Sequence, residues 1–221
     1  MTDFAELRER MVERQIAARG IRDPALLDAL RQVPRELFVS ANHGARAYGD
    51  YPLPIEAGQT ISQPYIVALM IEAAGIKLGD RVLEVGAGSG YAAAVMSRIA
   101  AEVIAIERKP ELVAVATERM TRLGYDNVTI VEGDGTRGWP DRAPYEAILA
   151  AASGSHVPQP LIDQLVEGGR LVMPVGSQAW TQQLVKLTKL PDGRTERENL
   201  GDVRFVPLIG EEGFRDSGQQ S

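Results

Sequence analysis

The sequence predicts an α/β fold in which a mainly parallel sheet carries helices on both faces. Two observations lead to this prediction. From residue 62 onward, apolar segments with strand character alternate with helical segments, and a glycine-rich turn joins the first of these strands to the helix after it. Alternating strands and helices form right-handed crossover units, which build parallel sheets. A chain of 221 residues is long enough for one such domain.

The segment before this pattern is predicted to hold two helices and a long loop. Apolar side chains recur at helical spacing between residues 4 and 16, and Gly20 is expected to end this first helix. Asp23 and the proline after it are typical of a helix start, and Pro34 ends the second helix because proline lacks an amide donor. Residues 40–60 are rich in Gly, Pro, Asn and Tyr, and an ordered loop of this length usually serves function.

The core elements follow from apolar patterning. Helices are predicted wherever apolar residues recur at helical spacing between the strands, and strands wherever short apolar runs are bounded by turn residues. The predicted strands are residues 81–85, 102–107, 128–131, 146–150 and 169–175, and the predicted helices are residues 64–74, 89–99, 109–123 and 158–166.

The last part of the chain differs from the core. Residues 182–188 and 202–208 are predicted to form antiparallel strands at the edge of the sheet, and a Pro-Asp-Gly turn at residues 191–193 lies between them. The tail from Glu211 is polar and glycine-rich, and it is predicted to be mobile.

Composition excludes several kinds of site. The chain has no cysteine, which removes thiol nucleophiles, thiolate zinc sites and iron-sulfur ligation. His43 and His156 are the only histidines, so one chain cannot build a multi-histidine metal centre. We therefore predict no metal site.

Charge and hydropathy restrict the partners and the location. A net charge of −6 argues against a nucleic-acid surface, which needs clustered positive charge. The longest uncharged run, residues 147–162, contains prolines and a histidine and is shorter than the roughly 20 apolar residues of a membrane span. The charged N-terminal segment does not look like a signal peptide. We predict no membrane contact and a cytoplasmic location.

A glycine-rich turn after the strand at residues 81–85 is the sharpest motif. Gly86, Gly88 and Gly90 permit positive φ and a close approach of a ligand to the backbone, and the helix start after them offers free amide donors. Glu107 ends the next strand, about 20 residues further on, where an acidic residue binds a ribose diol. The turn alone could be only a tight connection, but both signals together predict a nucleotide-like ligand.

Glycine spacing distinguishes two candidate ligands. A dinucleotide site has the pattern Gly-x-Gly-x-x-Gly, whereas this turn has Gly-x-Gly-x-Gly with Glu84 two residues before it. An acidic residue there suits a ligand with an amino group and no pyrophosphate, which favours S-adenosyl-L-methionine over NAD, although Glu84 could also cap a helix. Asp134 follows the third strand at the same sheet edge, within reach of an adenine.

Residues 58–65 read Gly-Gln-Thr-Ile-Ser-Gln-Pro-Tyr. Thr60 and Gln63 fit a capping box, and Ser62 could also cap the helix that begins near Pro64, so a purely structural explanation stays open. Together with the other motifs, however, this segment resembles the protein-L-isoaspartate O-methyltransferase family. The stretches that carry the resemblance occur in family order and are residues 51–55, 58–64, 82–91, 131–135, 168–176 and 203–208.

The resemblance implies a single Rossmann-like class I methyltransferase domain over residues 1–221. Its parts are the N-terminal helices and substrate loop (1–60), the cofactor-binding core (61–176), the C-terminal strands (177–210) and the tail (211–221). The family transfers a methyl group from S-adenosyl-L-methionine to the free α-carboxylate of L-isoaspartyl residues in damaged proteins and peptides. S-adenosyl-L-homocysteine is released, and the ester then collapses to a succinimide, which starts repair.

The resemblance also implies roles for particular residues. Ser62 is the active-site residue, and residues 203–208 form a wall of the substrate cleft. The cofactor-binding residues are Gln59, Thr60 and Ile61 in the same loop, Glu84, Gly86 and Gly88 at the methionine end, Glu107 at the ribose, and Gly133 and Asp134 at the adenine.

The residue inventory suits this chemistry. A carboxylate is already ionised at pH 7 and the leaving group is a neutral thioether, so no general base is needed. Ser62 then positions the acceptor by hydrogen bonding and is not a covalent nucleophile. We expect a monomer, because an enzyme that acts on protein chains needs an accessible cleft.

Three other functions remain open from the sequence. The same domain could methylate a small molecule, because a fold does not fix a substrate. It could also hold S-adenosylmethionine as a regulatory ligand without turnover. A nicotinamide-dependent oxidoreductase is disfavoured by the glycine spacing.

Overall fold

The computed structural model describes residues 3–177 and 181–215. A short antiparallel hairpin, β1 (Leu53–Pro54) with β2 (Thr60–Ile61), precedes a seven-stranded sheet. The strands of that sheet are β3 (Arg81–Val85), β4 (Glu102–Glu107), β5 (Val128–Glu132), β6 (Tyr145–Ala150), β7 (Leu165–Val175), β8 (Gln182–Lys189) and β9 (Thr195–Val203).

The order of strands across the sheet is β5-β4-β3-β6-β7-β8-β9. The first five strands in this order pair in parallel, whereas β8 pairs antiparallel with both β7 and β9. The order reverses on either side of β3, and ligands of open α/β sheets bind outside the carboxyl ends of strands at such a point. The predicted fold class, a mainly parallel sheet with antiparallel C-terminal strands, is confirmed.

Six α-helices accompany the strands within the described ranges. Pro24, Pro64 and Pro110 each occupy the first position of a helix, where proline loses no hydrogen bond. The helices are α1 (Phe4–Arg10), α2 (Pro24–Gln32), α3 (Pro64–Ala74), α4 (Tyr91–Met96), α5 (Pro110–Leu123) and α6 (Gln159–Asp163).

The first helix continues beyond α1 in altered geometry. A π-helical turn at Met11–Ile16 and a 3₁₀ turn at Ala17–Arg19 extend it to Gly20, which ends it with a φ of 101°. The prediction that this helix ends near Gly20 is confirmed. In the predicted irregular segment, 3₁₀ turns at Ala41–Arg46 and Glu56–Gly58 flank the first strand of the hairpin.

Two hydrophobic cores lie on opposite faces of the sheet. Residues of a strand alternate between the faces, and Val82 packs with the N-terminal helices, α3 and α4, whereas Leu83 packs with Leu161 of α6 on the other face. Glu84 follows Val82 by two residues, so its side chain points to the same face as Val82. This alternation places a carboxyl group, only 2% exposed, beneath the helices.

One predicted strand is wrong. Residues 202–208 were expected to form the last strand, but β9 ends at Val203 and residues 204–208 are irregular, with one isolated bridge between Ser153 and Pro207. β9 is the exposed edge strand, six of its nine residues are polar or charged, and it pairs with β8 through its backbone. The apolar residues at 205–208 instead line a cavity described below. The apolar residues of this segment therefore form a cavity wall and not a strand.

Other boundaries also differ from the prediction, and α4 (Tyr91–Met96) is shorter than the helix predicted at residues 89–99. The helix expected at residues 158–166 is the shorter α6, because β7 already begins at Leu165. Residues 211–215 of the predicted mobile tail make defined contacts: the Glu211 amide donates to Asp134, and the Phe214 amide donates to the Leu208 carbonyl. Residues 216–221 lie outside the described part of the chain.

No helix in residues 3–177 and 181–215 is long and apolar enough to cross a membrane. Over the same ranges, no group of three or more His, Asp or Glu side chains is arranged to hold a metal ion.

Candidate active site

The glycine-rich turn lies at the carboxyl end of β3, as predicted. Gly86, Gly88 and Gly90 have φ values of 90°, 53° and 85°, a region that side chains with a Cβ rarely adopt. The amides of Gly86 and Ala87 both donate to the carbonyl of Ile106 in β4, at 2.8 and 3.0 Å. These bonds fix the turn to the neighbouring strand.

Glu84 is a buried carboxyl group without a complete set of partners. Its Oε2 atom is buried and has no hydrogen-bond partner. Burial, then the charge of Glu107, raises the pKa of Glu84 well above its ordinary value, and a hydrogen bond from the backbone of Ala93 lowers it only in part. An unpaired oxygen of this kind can accept a hydrogen bond from a ligand cation, which fits the amino group predicted from the sequence.

Glu107 is buried, and both of its carboxylate oxygens accept hydrogen bonds from backbone amides. Its Oε2 accepts from the Gly88 amide at 3.0 Å, and its Oε1 accepts from the amides of Arg108 and Lys109 at 2.9 and 3.0 Å. The carboxylate therefore joins the end of β4 to the glycine turn. Its position beside Gly88 is the one predicted for a ribose acceptor.

Gly133 and Asp134 follow β5 at the same sheet edge. The Gly133 amide donates to the Glu107 carbonyl at 3.0 Å. The Asp134 carboxylate accepts from the amide and hydroxyl of Thr136 and from the Glu211 amide. Partial burial opposes ionisation of Asp134, but these hydrogen bonds, with that of Glu211 strongest, hold its pKa below its ordinary value.

The β1–β2 hairpin covers the glycine turn from the other side. A Cβ built on Gly88 would lie 3.5 Å from Cδ1 of Ile55, which shows how closely the hairpin approaches. Arg119 of α5 ties both parts together: its Nη1 donates to the Ser89 carbonyl at 2.8 Å, and its Nη2 lies 3.5 Å from Oε1 of Glu56. The hairpin loop and the glycine turn are therefore held by one guanidinium.

Ser62 lies between β2 and α3 but does not cap the helix. Gln63 occupies the N-cap position without a side-chain cap, and the Tyr65 amide donates instead to Oδ1 of Asp50, at 3.0 Å. The capping box that would have explained this segment structurally therefore does not form at the start of α3. Among the described residues the Ser62 hydroxyl has no hydrogen-bond partner, so it is available to a ligand.

Two cavities meet at Ser62. The first, of about 340 Å³, lies between the glycine turn, the hairpin and residues 205–209, and its size suits a small-molecule ligand. The second, of about 500 Å³, lies between α3, the end of β9 and residues 204–206. The residues that line both are Thr60, Ser62, Ala151, Phe205 and Val206.

Most of the predicted site residues line the first cavity, and two do not. Gly133 and Asp134 lie beside it, since only the next residue, Gly135, lines it. Their role toward an adenine stays a prediction. The predicted residues found in its wall are Gln59, Thr60, Ile61, Ser62, Glu84, Gly86, Gly88 and Glu107.

Comparisons with known proteins agree with this geometry. A family model described as protein-L-isoaspartate(D-aspartate) O-methyltransferase (PCMT) matches residues 6–213. The chain is 58% identical over 213 residues to protein-L-isoaspartate O-methyltransferase 1 of Rhodopseudomonas palustris (strain HaA2), which covers 96% of this chain and 87% of that protein. The chain belongs to the protein-L-isoaspartate O-methyltransferase family. Protein-L-isoaspartate O-methyltransferase 2 of Pelobacter propionicus is 55% identical over 207 residues, or 94% of this chain and 92% of that protein.

Solved structures support the same family. One described as protein-L-isoaspartate O-methyltransferase has a TM-score of 0.84 and 32% identity, over 93% of this chain and 67% of that chain. Another, described as PCMT from Plasmodium falciparum in complex with S-adenosyl-L-homocysteine, has a TM-score of 0.79 and 29% identity, over 91% of this chain and 98% of that one. The resemblance drawn from the sequence motifs is therefore confirmed.

Sequence reasoning missed several residues that shape the site of this family member. Asp50, Arg35 and Arg119 hold the Ser62 segment, the hairpin and the glycine turn in place, and α3 supplies apolar lining of the first cavity. Nothing in the sequence distinguishes these two arginines from surface arginines. The lining side chains of α3 are Val67, Met70 and Ile71.

Gly135 is predicted to be intolerant of a side chain. A Cβ at this buried position would lie 2.4 Å from Cγ1 of Val85, at the end of β3. We expect Gly135→Ala to lower the free energy of unfolding by about 1 to 3 kcal/mol, because a β-branched core residue cannot move aside without strain. Urea denaturation measures this loss.

A double variant tests the cause of that loss. If the contact with Val85 is responsible, Gly135→Ala introduced into Val85→Ala costs below roughly 0.5 kcal/mol, because the clashing methyl group is gone. Gly133→Ala is the matched control for stability, since its Cβ would meet Trp139 and Ile106 at ordinary contact distances of 3.5 and 3.6 Å. Equal losses in the two backgrounds would contradict the explanation.

Proposed function

We propose that this chain transfers a methyl group from S-adenosyl-L-methionine to the free α-carboxylate of L-isoaspartyl residues in damaged proteins and peptides, and so starts repair through a succinimide. Membership in the protein-L-isoaspartate O-methyltransferase family supports this proposal. The single observation that carries it is the meeting of two cavities at Ser62, because a transfer between two bound molecules needs two adjoining sites.

The first cavity fits the methyl donor. The unpaired Oε2 of Glu84 would accept a hydrogen bond from the amino group of the methionine portion, and Glu107, at the end of β4, would bind the ribose. Gly86 and Gly88 would let the donor approach the backbone, and Gly133 and Asp134 would bind the adenine. Bound S-adenosylmethionine supplies a methyl group on a positively charged sulfur, which makes the methyl carbon electrophilic.

The second cavity fits the acceptor. The end of β9 and residues 204–206 form part of its wall, and a peptide segment would lie there while the α-carboxylate reaches the junction. The Ser62 hydroxyl has no hydrogen-bond partner among the described residues. At the junction it would donate a hydrogen bond to one carboxylate oxygen and so direct the other oxygen toward the methyl group. Gln59, Thr60 and Ile61 would close the junction to water, which strengthens the electrostatic interactions inside it.

Alignment accounts for the catalysis under this proposal. The carboxylate oxygen forms a bond to the methyl carbon while the bond from carbon to sulfur breaks, and the leaving group is a neutral thioether. Holding the reacting atoms about 3 Å apart and in line can lower the barrier by roughly 7 to 11 kcal/mol. No histidine or cysteine is needed for this step, and the chain contains only two of the former and none of the latter.

The deciding experiment measures methyl transfer from labelled S-adenosylmethionine to two synthetic peptides. The peptides are identical except that one carries L-isoaspartate and the other normal aspartate. We expect label only in the isoaspartyl peptide, released by mild base as methanol because the product is an ester. The substrate specificity is read directly from the matched pair.

Three other outcomes identify different functions. Equal labelling of both peptides would point to a general carboxyl methyltransferase. Binding of S-adenosylhomocysteine with no label in either peptide would leave a small-molecule methyltransferase or a regulatory binding protein. Thermal stabilisation by NAD and not by S-adenosylhomocysteine would overturn the choice of cofactor, because a ligand at 100 times its Kd raises stability by about 2.7 kcal/mol.

We further propose that the protein acts as a monomer in the cytoplasm. A monomer leaves the second cavity open to protein substrates. Light scattering of the purified protein at micromolar concentration tests the oligomeric state, and a dimer that covers residues 202–206 would contradict it.

A further inference from the structure

Arg35 is a charged residue in the interior of the protein. It begins a 3₁₀ turn at Arg35–Phe38, and its exposed fraction is 0%. Its Nε donates to the Ala47 carbonyl at 2.8 Å, and its Nη2 donates to the Ser62 carbonyl at 2.6 Å. Its Cζ lies 4.6 Å from the centre of the Tyr91 ring. One guanidinium therefore joins the loop before β1, the Ser62 segment and the first residue of α4.

The surroundings of this guanidinium compensate its charge only in part. No carboxylate in the described residues forms an ion pair with Arg35, and its Nη1 atom is buried without a hydrogen-bond partner. Burial lowers the pKa of Arg35, and the Tyr91 hydroxyl, Tyr48 and Asp50 offset this effect in part. A buried charge with incomplete compensation destabilises a fold. A neutral residue would fill the space at a lower cost, so a purely structural role explains the arginine poorly.

The two ends of the Ser62 segment show what the arginine does. On the helix side, Pro64 begins α3 and Asp50 holds the Tyr65 amide. On the strand side, Ile61 is paired in the hairpin. Between them, the Ser62 carbonyl is held by Arg35, while the Ser62 hydroxyl lies at the junction of the two cavities.

We propose that Arg35 is a positioning residue for the methyl transfer: by holding the Ser62 carbonyl and stacking on Tyr91, it sets the Ser62 hydroxyl at a fixed distance from the glycine turn. Tyr91 follows Gly90 directly, so the stack fixes the distance across which the methyl group would move. This inference rests on the proposed function. It does not make Arg35 a catalytic residue, because the guanidinium lines neither cavity.

Arg35→Lys is the variant of choice. Lysine keeps the charge but lacks the planar fork that donates to two carbonyls at once. We expect kcat for the isoaspartyl peptide to fall by about tenfold to a hundredfold, because small displacements at a transfer site cost up to roughly a hundredfold. The KM for S-adenosylmethionine should change less than kcat, by about twofold to threefold, since Glu84, Glu107 and the glycine turn keep their contacts and only the loop side of the first cavity loosens.

Arg170→Lys is the matched control. Arg170 also donates to two backbone carbonyls, those of Ala74 at 2.7 Å and Gly75 at 3.1 Å, but it does so at the far end of α3. We expect this variant to unfold at a lower temperature and to keep the wild-type kcat. Arg170 is half-buried and also pairs with Asp80, so the pair of variants separates the loss of a guanidinium that donates to two carbonyls from the loss of positioning at Ser62.

Hydrogen exchange provides a measurement that does not depend on activity. In Arg35→Lys, the amides of residues 59–63 should exchange about tenfold faster than in the wild type, whereas the amides of α3 keep their protection. Guanidinium ion at millimolar concentration should restore part of the kcat of Arg35→Ala, and methylammonium should not. If Arg35→Lys does not fold, kcat and hydrogen exchange are measured instead in Arg35→Gln, which places no charge in the interior.

The outcomes separate this proposal from the proposed function. A kcat of Arg35→Lys within twofold of the wild type, or an equal fall of kcat in Arg170→Lys, would overturn the positioning role. Unchanged exchange at residues 59–63 would overturn it as well. If the wild type labels neither peptide but residues 59–63 exchange faster in Arg35→Lys, the proposed function fails and the positioning of Ser62 by Arg35 stands.

Discussion

Glu84→Gln is expected to weaken the binding of S-adenosylhomocysteine by about a hundredfold, and at the same time to stabilise the protein at pH 8. The loss follows from the buried Oε2 of Glu84, which has no protein partner and would pair with the ligand ammonium. A hydrogen bond between charged partners contributes roughly 1.5 to 3 kcal/mol, and about 2.7 kcal/mol corresponds to a hundredfold change in Kd. Isothermal titration calorimetry measures the Kd directly.

The stabilisation follows from the raised pKa of Glu84. Burial first, and the charge of Glu107 second, raise it well above its ordinary value. In the unfolded chain this carboxyl loses its proton near pH 4.3, whereas the folded state retains it to higher pH. The unfolded state therefore binds fewer protons above that pH, and the free energy of unfolding falls as the pH rises through the folded pKa.

The pH dependence distinguishes this explanation from a general effect of the substitution. Glutamine has no proton to lose, so Glu84→Gln should unfold at a higher temperature than the wild type at pH 8 and at the same temperature at pH 4. Glu132→Gln is the matched control, because Glu132 also ends a strand of the sheet but is exposed. Scanning calorimetry at the two pH values gives the comparison, and an equal shift at both would contradict the assignment to ionisation.

The same group makes ligand binding depend on pH. An ammonium pairs with the ionised form of Glu84, so binding should release a proton from the protein below the raised pKa. We expect the Kd of S-adenosylhomocysteine to decrease as the pH rises toward that pKa and then to level off. The Glu84→Gln variant should show a flat profile. A wild-type profile that is also flat between pH 5.5 and pH 8.5 would contradict an ionisation of Glu84 on binding.

The central part of the fold could be predicted because its local and global signals agree. β3, β4 and α3 have the predicted bounds, since each is an apolar segment flanked by charged residues, glycine or proline. The last strand could not be predicted in the same way. β9 is held by backbone hydrogen bonds at an exposed edge, and its charged side chains carry no strand pattern.

The residues of the site also fall into those that local sequence patterns predict and those that they do not. Glu84, the glycine turn and Glu107 were found from their spacing, because strand ends in a parallel sheet meet at one edge. The residues that hold the site together could not be found in this way, because their contacts span long distances in sequence. Arg35 contacts Ser62 across 27 residues, and Asp50 contacts Tyr65 across 15. Asp50 also accepts from the Tyr65 amide, which a Ser62 N-cap would have used, and no local pattern indicates this contact.

Ser62→Ala is expected to lower kcat for the isoaspartyl peptide by about tenfold to a hundredfold. The reason is the loss of the hydrogen bond from the Ser62 hydroxyl to the substrate carboxylate, which contributes roughly 1.5 to 3 kcal/mol when one partner is charged. The Kd of S-adenosylhomocysteine should change by no more than about twofold, because the binding groups at the methionine and ribose ends are unchanged. Steady-state kinetics with a saturating methyl donor measure kcat.

The hydroxyl of Ser62 makes this substitution unusually easy to interpret. It has no hydrogen-bond partner in the described part of the chain and does not cap α3, so its removal breaks no internal contact and the unfolding temperature should not change. Ser40→Ala is the control, since among the described residues the Ser40 hydroxyl is hydrogen-bonded only to His43, on the surface, and its loss should leave kcat unchanged. A kcat of Ser62→Ala equal to that of Ser40→Ala would show that the backbone of the segment, and not the hydroxyl, orients the acceptor, and Ser62 would then contribute only through the carbonyl that Arg35 holds.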